Sequence, residues 1–240
     1  MRPRFGISLF AKYNLLDDFS RSRFNPGMSL NLKELMSVTD DKRDSNWEDQ
    51  FLTAFANSNV SLLSEDPQVG PDQWPYLLVE TTEGSQEPAQ KILAWLATRG
   101  IGLAINPQKE FPDFVLTFGM IWNFKETGKF IHRQVSAPSG NVELSRETIQ
   151  HAGTPTEKYL PVYVKNILRE FFRDQGVLAP KILLISTDKI HYDLAFSVES
   201  MGNPPESEWS GIAEAISWFL PPHYSILLVS EAQLPEFQAL

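Results

Sequence analysis

Cysteine is absent from this chain of 240 residues. Disulfides, thiolate nucleophiles and cysteine-ligated zinc or iron–sulfur centres are therefore excluded. A reducing compartment fits, and the expected location is the cytoplasm, although a cysteine-free chain also suits some periplasmic proteins. Long apolar runs are missing too: no stretch approaches the roughly 20 apolar residues of a membrane span. Met1-Arg2-Pro3-Arg4 imitates the charged start of a signal peptide. The apolar run at 5–10 is too short for one, and Lys12, Asp17 and Asp18 close it.

Basic clusters are scarce. Beyond Lys42-Arg43 and the spaced pair Arg21 and Arg23 there are none, the net charge is -9 and the pI is near 5.0. A surface that neutralises phosphates needs a basic face, so neither nucleic acid nor an anionic membrane is an expected partner. The 13 glycines are spread thinly. They form no Gly-x-Gly-x-x-Gly loop, no Gly-Lys-Ser/Thr phosphate loop and no Gly-x-Ser-x-Gly elbow.

The four histidines are His132, His151, His191 and His223, and no two have the i, i+4 spacing of a helical zinc site. His191 and Asp193, two apart on a strand, share a face, but no third ligand accompanies them. They read as a solvent-facing polar pair. Glu80 and Glu199 both close strands and read as polar strand ends. No catalytic residue, metal ligand or cofactor is expected, and an enzyme whose site is assembled from distant residues stays open as an alternative.

What the chain does have is apolar mass: 42% hydrophobic and 12% aromatic residues, enough for a sizeable core. Residues 1–44 read as an arm. Ser45-Asn46-Trp47-Glu48 has the form of a capping box, and Trp47, Phe51, Ala54 and Phe55 then fall on one helical face. Strands are expected at 60–63, 76–81 and 101–106, with a helix over 87–99 that Pro88 opens and Gly100 ends. A second series follows: a helix over 157–175, strands at 182–186 and 191–199, a helix over 206–220 stopped by Pro221-Pro222, and a strand at 224–229. Along 191–199, Tyr192, Leu194, Phe196 and Val198 alternate with His191, Asp193, Ser197 and Glu199.

Both series run helix–strand–strand–helix–strand, over about 45–107 and 156–232, and their side chains correspond. Ala89, Ile92, Leu93 and Leu96 match Ile212, Ala215, Ile216 and Phe219 at a constant offset, and Trp95 matches Trp218 at that same offset. An internal repeat is the expectation. Between the two, Phe114, Leu116, Phe118, Met120, Trp122 and Phe124 share one parity. They read as a strand with a large apolar face, with Gly119 marking a bulge or bend. Residues 126–128 read as a hairpin loop, 130–135 as the returning strand and 136–155 as a polar linker. The apolar face is either a sheet face beneath a helix or an exposed aromatic surface for a partner or small ligand.

Residues 160–232 resemble the C-terminal domain of the enhanced-serine-sensitivity (SseB-like) bacterial proteins. The resemblance lies in Leu160-Pro161 with Leu168 and Phe171, in the strand Asp193-Leu194-Ala195-Phe196-Ser197-Val198-Glu199, and in Leu220-Pro221 before the strand at 225–229. It implies a bacterial, cytoplasmic, non-enzymatic protein without a cofactor that acts through protein contacts. The arm and residues 108–135 do not share it.

The expected fold class is α+β, with two helix–strand–strand–helix–strand modules and an aromatic β-hairpin inserted between them. The expected divisions are an arm (1–44), a first module with the hairpin (45–135), a linker (136–155) and a second module (156–240). The leading functional expectation is a non-catalytic interaction, adaptor or chaperone-like protein that binds a protein partner or itself. Trp95, Trp218, Phe118 and Trp122 are the candidate interaction surface. The alternative is a small-molecule binder, with a pocket between modules or on the face running from 114 to 124.

Overall fold

The computed structural model describes residues 31–82, 84–109, 111–132, 147–232 and 234–240. Most of the expected arm, and residues 133–146 of the expected hairpin and linker, lie outside them. The fold is α+β, with two mixed sheets, and it divides into two compact units. One closes at Leu116; the other takes the loop 98–100 and everything from Thr117 onwards.

In the N-terminal unit, α1 (Leu32–Met36) lies within the stretch expected to be an arm. Its capping box is reciprocal: the Asn31 side chain accepts from the Glu34 N–H, and the Glu34 carboxylate accepts from the Asn31 N–H. Leu35 is buried, and the Trp47 indole N–H donates to its carbonyl at 2.8 Å. Helix α2 (Ser45–Ala56) is capped by Asp44, whose carboxylate accepts the Trp47 N–H at 2.8 Å, and not by Ser45 as expected. Either side chain can cap, but a carboxylate also gains from the positive end of the helix dipole. Trp47, Phe51 and Phe55 are buried as anticipated, and Phe51 stacks on Phe114 at 5.5 Å.

The strands of this unit are β1 (Asn59–Leu62), β2 (Gln68–Val69), β3 (Pro75–Glu80), β4 (Glu87–Pro88), β5 (Gly102–Ile105) and β6 (Phe114–Leu116). Their order is β4-β1-β3-β5-β6, with β2 added to β3. β1 and β3 are antiparallel, while β3 and β5 are parallel, in register Leu77 to Leu103 and Val79 to Ile105. Helix α3 (Ala89–Leu96) makes the crossover and buries Ala89, Ile92, Leu93 and Leu96.

The C-terminal unit contains α4 (Phe118–Thr127), β7 (His151–Gly153), α5 (Val162–Asp174), β8 (Lys181–Ser186), β9 (Asp193–Ser197), α6 (Glu206–Ser217), β10 (Ser225–Val229) and β11 (Gln238–Ala239). Its sheet has the order β10-β9-β8-β11, with β7 added to β8. β8 and β9 are antiparallel; β9 and β10 are parallel. Val164, Leu168 and Phe172 form the buried stripe of α5, and Phe172 meets Phe196 of β9 at 5.8 Å. On the opposite face Leu183, Ile185 and Ala195 pack with Leu234 and Phe237, and Leu227 and Val229 join their margin.

Three expectations are corrected. Residues 118–127 are helix, not a strand of an aromatic β-hairpin, and Phe130–His132 form no returning strand among the described residues. Thr117 caps α4 by accepting the Met120 N–H, and Gly128 ends it at φ +74. An apolar run buried on all sides has no periodicity that separates strand from helix, and Phe118 through Asn123 are all buried. The expected linker contains β7. His191 and Asp193 do not form a solvent-facing polar pair: His191 is exposed but Asp193 is half-buried, because β9 is internal and Leu194, Ala195, Phe196 and Ser197 are all fully buried.

Candidate functional site

Strand β10 is an edge of its sheet: β9 pairs with one side, and no strand among the described residues pairs with the other. Both ends of the strand are fixed. Before it, Tyr224 stacks on Tyr159 at 4.4 Å, meets Trp122 edge-on at 5.9 Å and donates its hydroxyl to the Tyr159 carbonyl. Burial raises both phenols above their ordinary pKa, so both stay protonated. After it, the Val198 N–H donates to the Val229 carbonyl at 3.0 Å. The Glu199 carboxylate accepts the Ser230 hydroxyl and, at 2.9 Å, the Glu231 N–H. Burial pushes the Glu199 pKa up, but these hydrogen bonds to the ionised form outweigh it and hold the group low.

That frame decides which way the backbone points. In a parallel ladder a residue turns its N–H and C=O to the same neighbour, and successive residues alternate. Val229 accepts from Val198, so Ser225, Leu227 and Val229 face β9. Ile226 and Leu228 therefore turn two N–H and two C=O groups outward. Among the described residues nothing bonds to those four groups. The side chains of Ile226, Leu227, Leu228 and Val229 are each only partly buried. Natural edge strands are usually blunted by charge, proline or a bulge. β10 contains neither a charge nor a proline, and no Asp, Glu, Lys or Arg lies between Glu214 and Glu231.

The four aromatic residues nominated from the sequence do not form one surface. Phe118, Trp122 and Trp218 are buried, which corrects their assignment to an interaction surface. Phe118 and Trp218 stack at 6.4 Å, and the Trp122 indole N–H donates to the Phe219 carbonyl at 2.8 Å. Trp95 alone is exposed, at 42%. The two matched tryptophans thus differ in exposure, and Trp218 lies against Phe118 of α4. The edge strand was missed because its sequence reads equally well as an internal strand; pairing decides which.

The titratable groups form structural contacts. His191 pairs with Asp188 at 2.6 Å, not with Asp193 as expected. The His191 ring and the N–H groups of His191 and Ile190 hold the Asp188 carboxylate well below the usual range. In the N-terminal unit, the buried Asp113 carboxylate meets Arg43 at 3.1 Å, Asn106 at 2.7 Å and the Lys109 ammonium. Burial raises the pKa of Asp113, and the hydrogen bonds from Lys109, Asn106 and Arg43 reverse this to a net lowering. Ser197 donates to Glu231 at 2.7 Å, and Glu231 pairs with Lys181 at 3.1 Å. These clusters are internally paired. Among the described residues no group of three or more His, Asp or Glu side chains could hold a metal ion. Glu80 and Glu199 share only their place at a strand end; Glu199 ties β9 to β10, whereas Glu80 receives a long contact from Thr82 at 3.5 Å.

No protein-family model matches the chain, and comparison with curated proteins and with solved structures gives no match. No helix among the described residues is long and apolar enough to cross a membrane.

Proposed function

We propose that the chain acts through protein contacts, by accepting a partner strand on the outer edge of β10. The observation that carries this reading is the pair of residues Ile226 and Leu228. Among the described residues their outward N–H and C=O groups have no partner, and apolar side chains flank them in a neutral stretch of an otherwise acidic chain. Strand addition of this kind takes affinity from main-chain hydrogen bonds and specificity from alternate side chains. The internally paired charge clusters support a non-catalytic role.

The absence of cysteine supports a cytoplasmic setting. The common order of α2-β1-β3-α3-β5 and α5-β8-β9-α6-β10, with the same strand senses, supports a duplicated module. The resemblance of residues 160–232 to the SseB-like domain accords with a bacterial interaction protein.

The test is Ile226→Pro. Proline removes one outward N–H and is tolerated where a strand's N–H faces solvent. Proteins retained by the immobilised wild-type chain, including further copies of itself, should be lost on the variant while far-UV circular dichroism is unchanged. Retention of the same proteins by a folded variant would overturn the reading.

A further inference from the structure

We infer that the strand received by β10 is the β10 of a second copy, antiparallel, across a two-fold axis at Leu227. The inference rests on the strand-addition reading above and names its partner.

The outward groups define the register. An antiparallel pair forms ladder bonds only where outward-facing residues meet outward-facing residues. In β10 these are Ile226 and Leu228, placed symmetrically about Leu227. An axis at Leu227 sets Ile226 opposite Leu228 of the other copy, and the reverse. Each pairing exchanges two hydrogen bonds, so all four open groups are satisfied within the strand. An axis at Ile226 or Leu228 would pair only one of the two residues inside the strand. In the Leu227 register the two Leu227 side chains meet at a non-hydrogen-bonded position, where cross-strand side chains come closest. Two-fold pairing of one patch with itself is the usual way soluble homo-oligomers close.

Charge favours the same partner. Two copies of a chain with net charge -9 repel wherever their acidic surfaces meet. Residues 215–230 are the stretch around this edge without Asp, Glu, Lys or Arg. The Leu227 register also sets neutral His223 of one copy opposite Glu231 of the other, so no like charges meet there.

The chain has no cysteine, so a single introduced thiol reports its own neighbour. Leu227→Cys places two Cα atoms about 4.5 Å apart across the axis, inside the range a disulfide accepts. It should link into a covalent dimer under mild oxidation, whereas Ser225→Cys, whose opposite residue is Val229, should stay largely unlinked. Light scattering on the wild type should give twice the 27.2 kDa chain mass as concentration rises, and Ile226→Pro should return it to the single mass.

A dimer that survives in folded Ile226→Pro, or that links through Ser225→Cys and not Leu227→Cys, overturns the proposal. So does a wild type that stays monomeric at about 100 µM, a concentration at which a micromolar self-affinity would be saturated. If that monomer still loses other bound proteins on Ile226→Pro, self-pairing fails and strand addition stands. If it binds none, both fail. Should Ile226→Pro fail to fold, the two cysteine variants decide the matter: linkage through Leu227→Cys and not Ser225→Cys supports the register, and the absence of such linkage overturns it.

Discussion

Replacing Gly119 by alanine sets two physical effects against each other, and the structure says which wins. Gly119 is the second residue of α4, and its N–H donates to the Trp218 carbonyl at 3.1 Å. One turn later the Trp122 indole donates to Phe219. The start of α4 thus lies directly on the backbone of 218–220. A Cβ at Gly119 would stand 1.9 Å from the Leu220 oxygen and 2.2 Å from its carbonyl carbon. That falls short of ordinary contact by roughly 1.5 Å, on the steep repulsive side of the van der Waals curve.

The obstructing atoms are backbone, so no rotamer change relieves them, and the helix must withdraw. Withdrawal weakens the two hydrogen bonds, each contributing about 0.5–1.5 kcal/mol, and forces repacking that costs about 1–3 kcal/mol. Alanine's better helix propensity returns about 1 kcal/mol. The net loss is therefore roughly 1–5 kcal/mol in the C-terminal unit, centred on about 3 kcal/mol. Urea unfolding followed by tryptophan fluorescence should show a midpoint lower by about 1 M, for a slope of about 2–3 kcal/mol/M. A variant as stable as the wild type, or more stable, would refute the close approach and leave helix propensity in control.

Other perturbations separate structural groups from exposed ones. Trp122→Phe leaves the Phe219 carbonyl without its donor and should cost about 1–3 kcal/mol in denaturant unfolding. Trp95→Phe, at an exposed site, should stay within about 0.5 kcal/mol of the wild type. Asp113→Ala strips Arg43 and Lys109 of a buried carboxylate and should destabilise the N-terminal unit by about 3 kcal/mol, read by the same method. His223 is held neutral by burial and by nearby His132, its pKa lowered to about 4. The unfolded chain takes up this proton near pH 6.5 and the folded chain only near 4. Stability should therefore fall as pH drops through that window and level off for this group below it. His223→Gln should flatten a plot of melting temperature between pH 7 and 5; an unchanged slope would show that other groups set it.

Much of the fold was legible because its elements carry local signals. Gly100 sits at positive φ past α3 and Pro221-Pro222 follow α6, so those helix ends followed from backbone chemistry, whereas α5 starts at Val162 after Pro161 and not at 157. The five-element order of each module followed from periodicity. Residues 118–127, expected as strand, are helix, and the signal there is ambiguous: alternate parity fits Phe118, Met120, Trp122 and Phe124, while an i, i+3, i+4 face fits Phe118, Ile121 and Trp122. What settled them as helix was the Thr117 cap, which is short-range but weak, and the docking of Gly119 on Leu220, a contact one hundred residues away in sequence.

The candidate site was less legible. Large aromatic residues suggested a surface, yet burial of Phe118, Trp122 and Trp218 is what such residues usually seek. Residues 225–229 read only as a strand, since whether a strand is an edge depends on which others pair with it.

Residue-resolved amide exchange tests the open edge of β10 most directly. In dilute protein the Leu227 and Val229 amides, bonded to β9, should exchange slowly, and those of Ile226 and Leu228 quickly. Raising the protein concentration should slow Ile226 and Leu228 and leave the other two unchanged. Slow exchange of all four at the lowest concentration, in protein of single-chain mass, would contradict the account, because the edge would then be closed from within the chain itself.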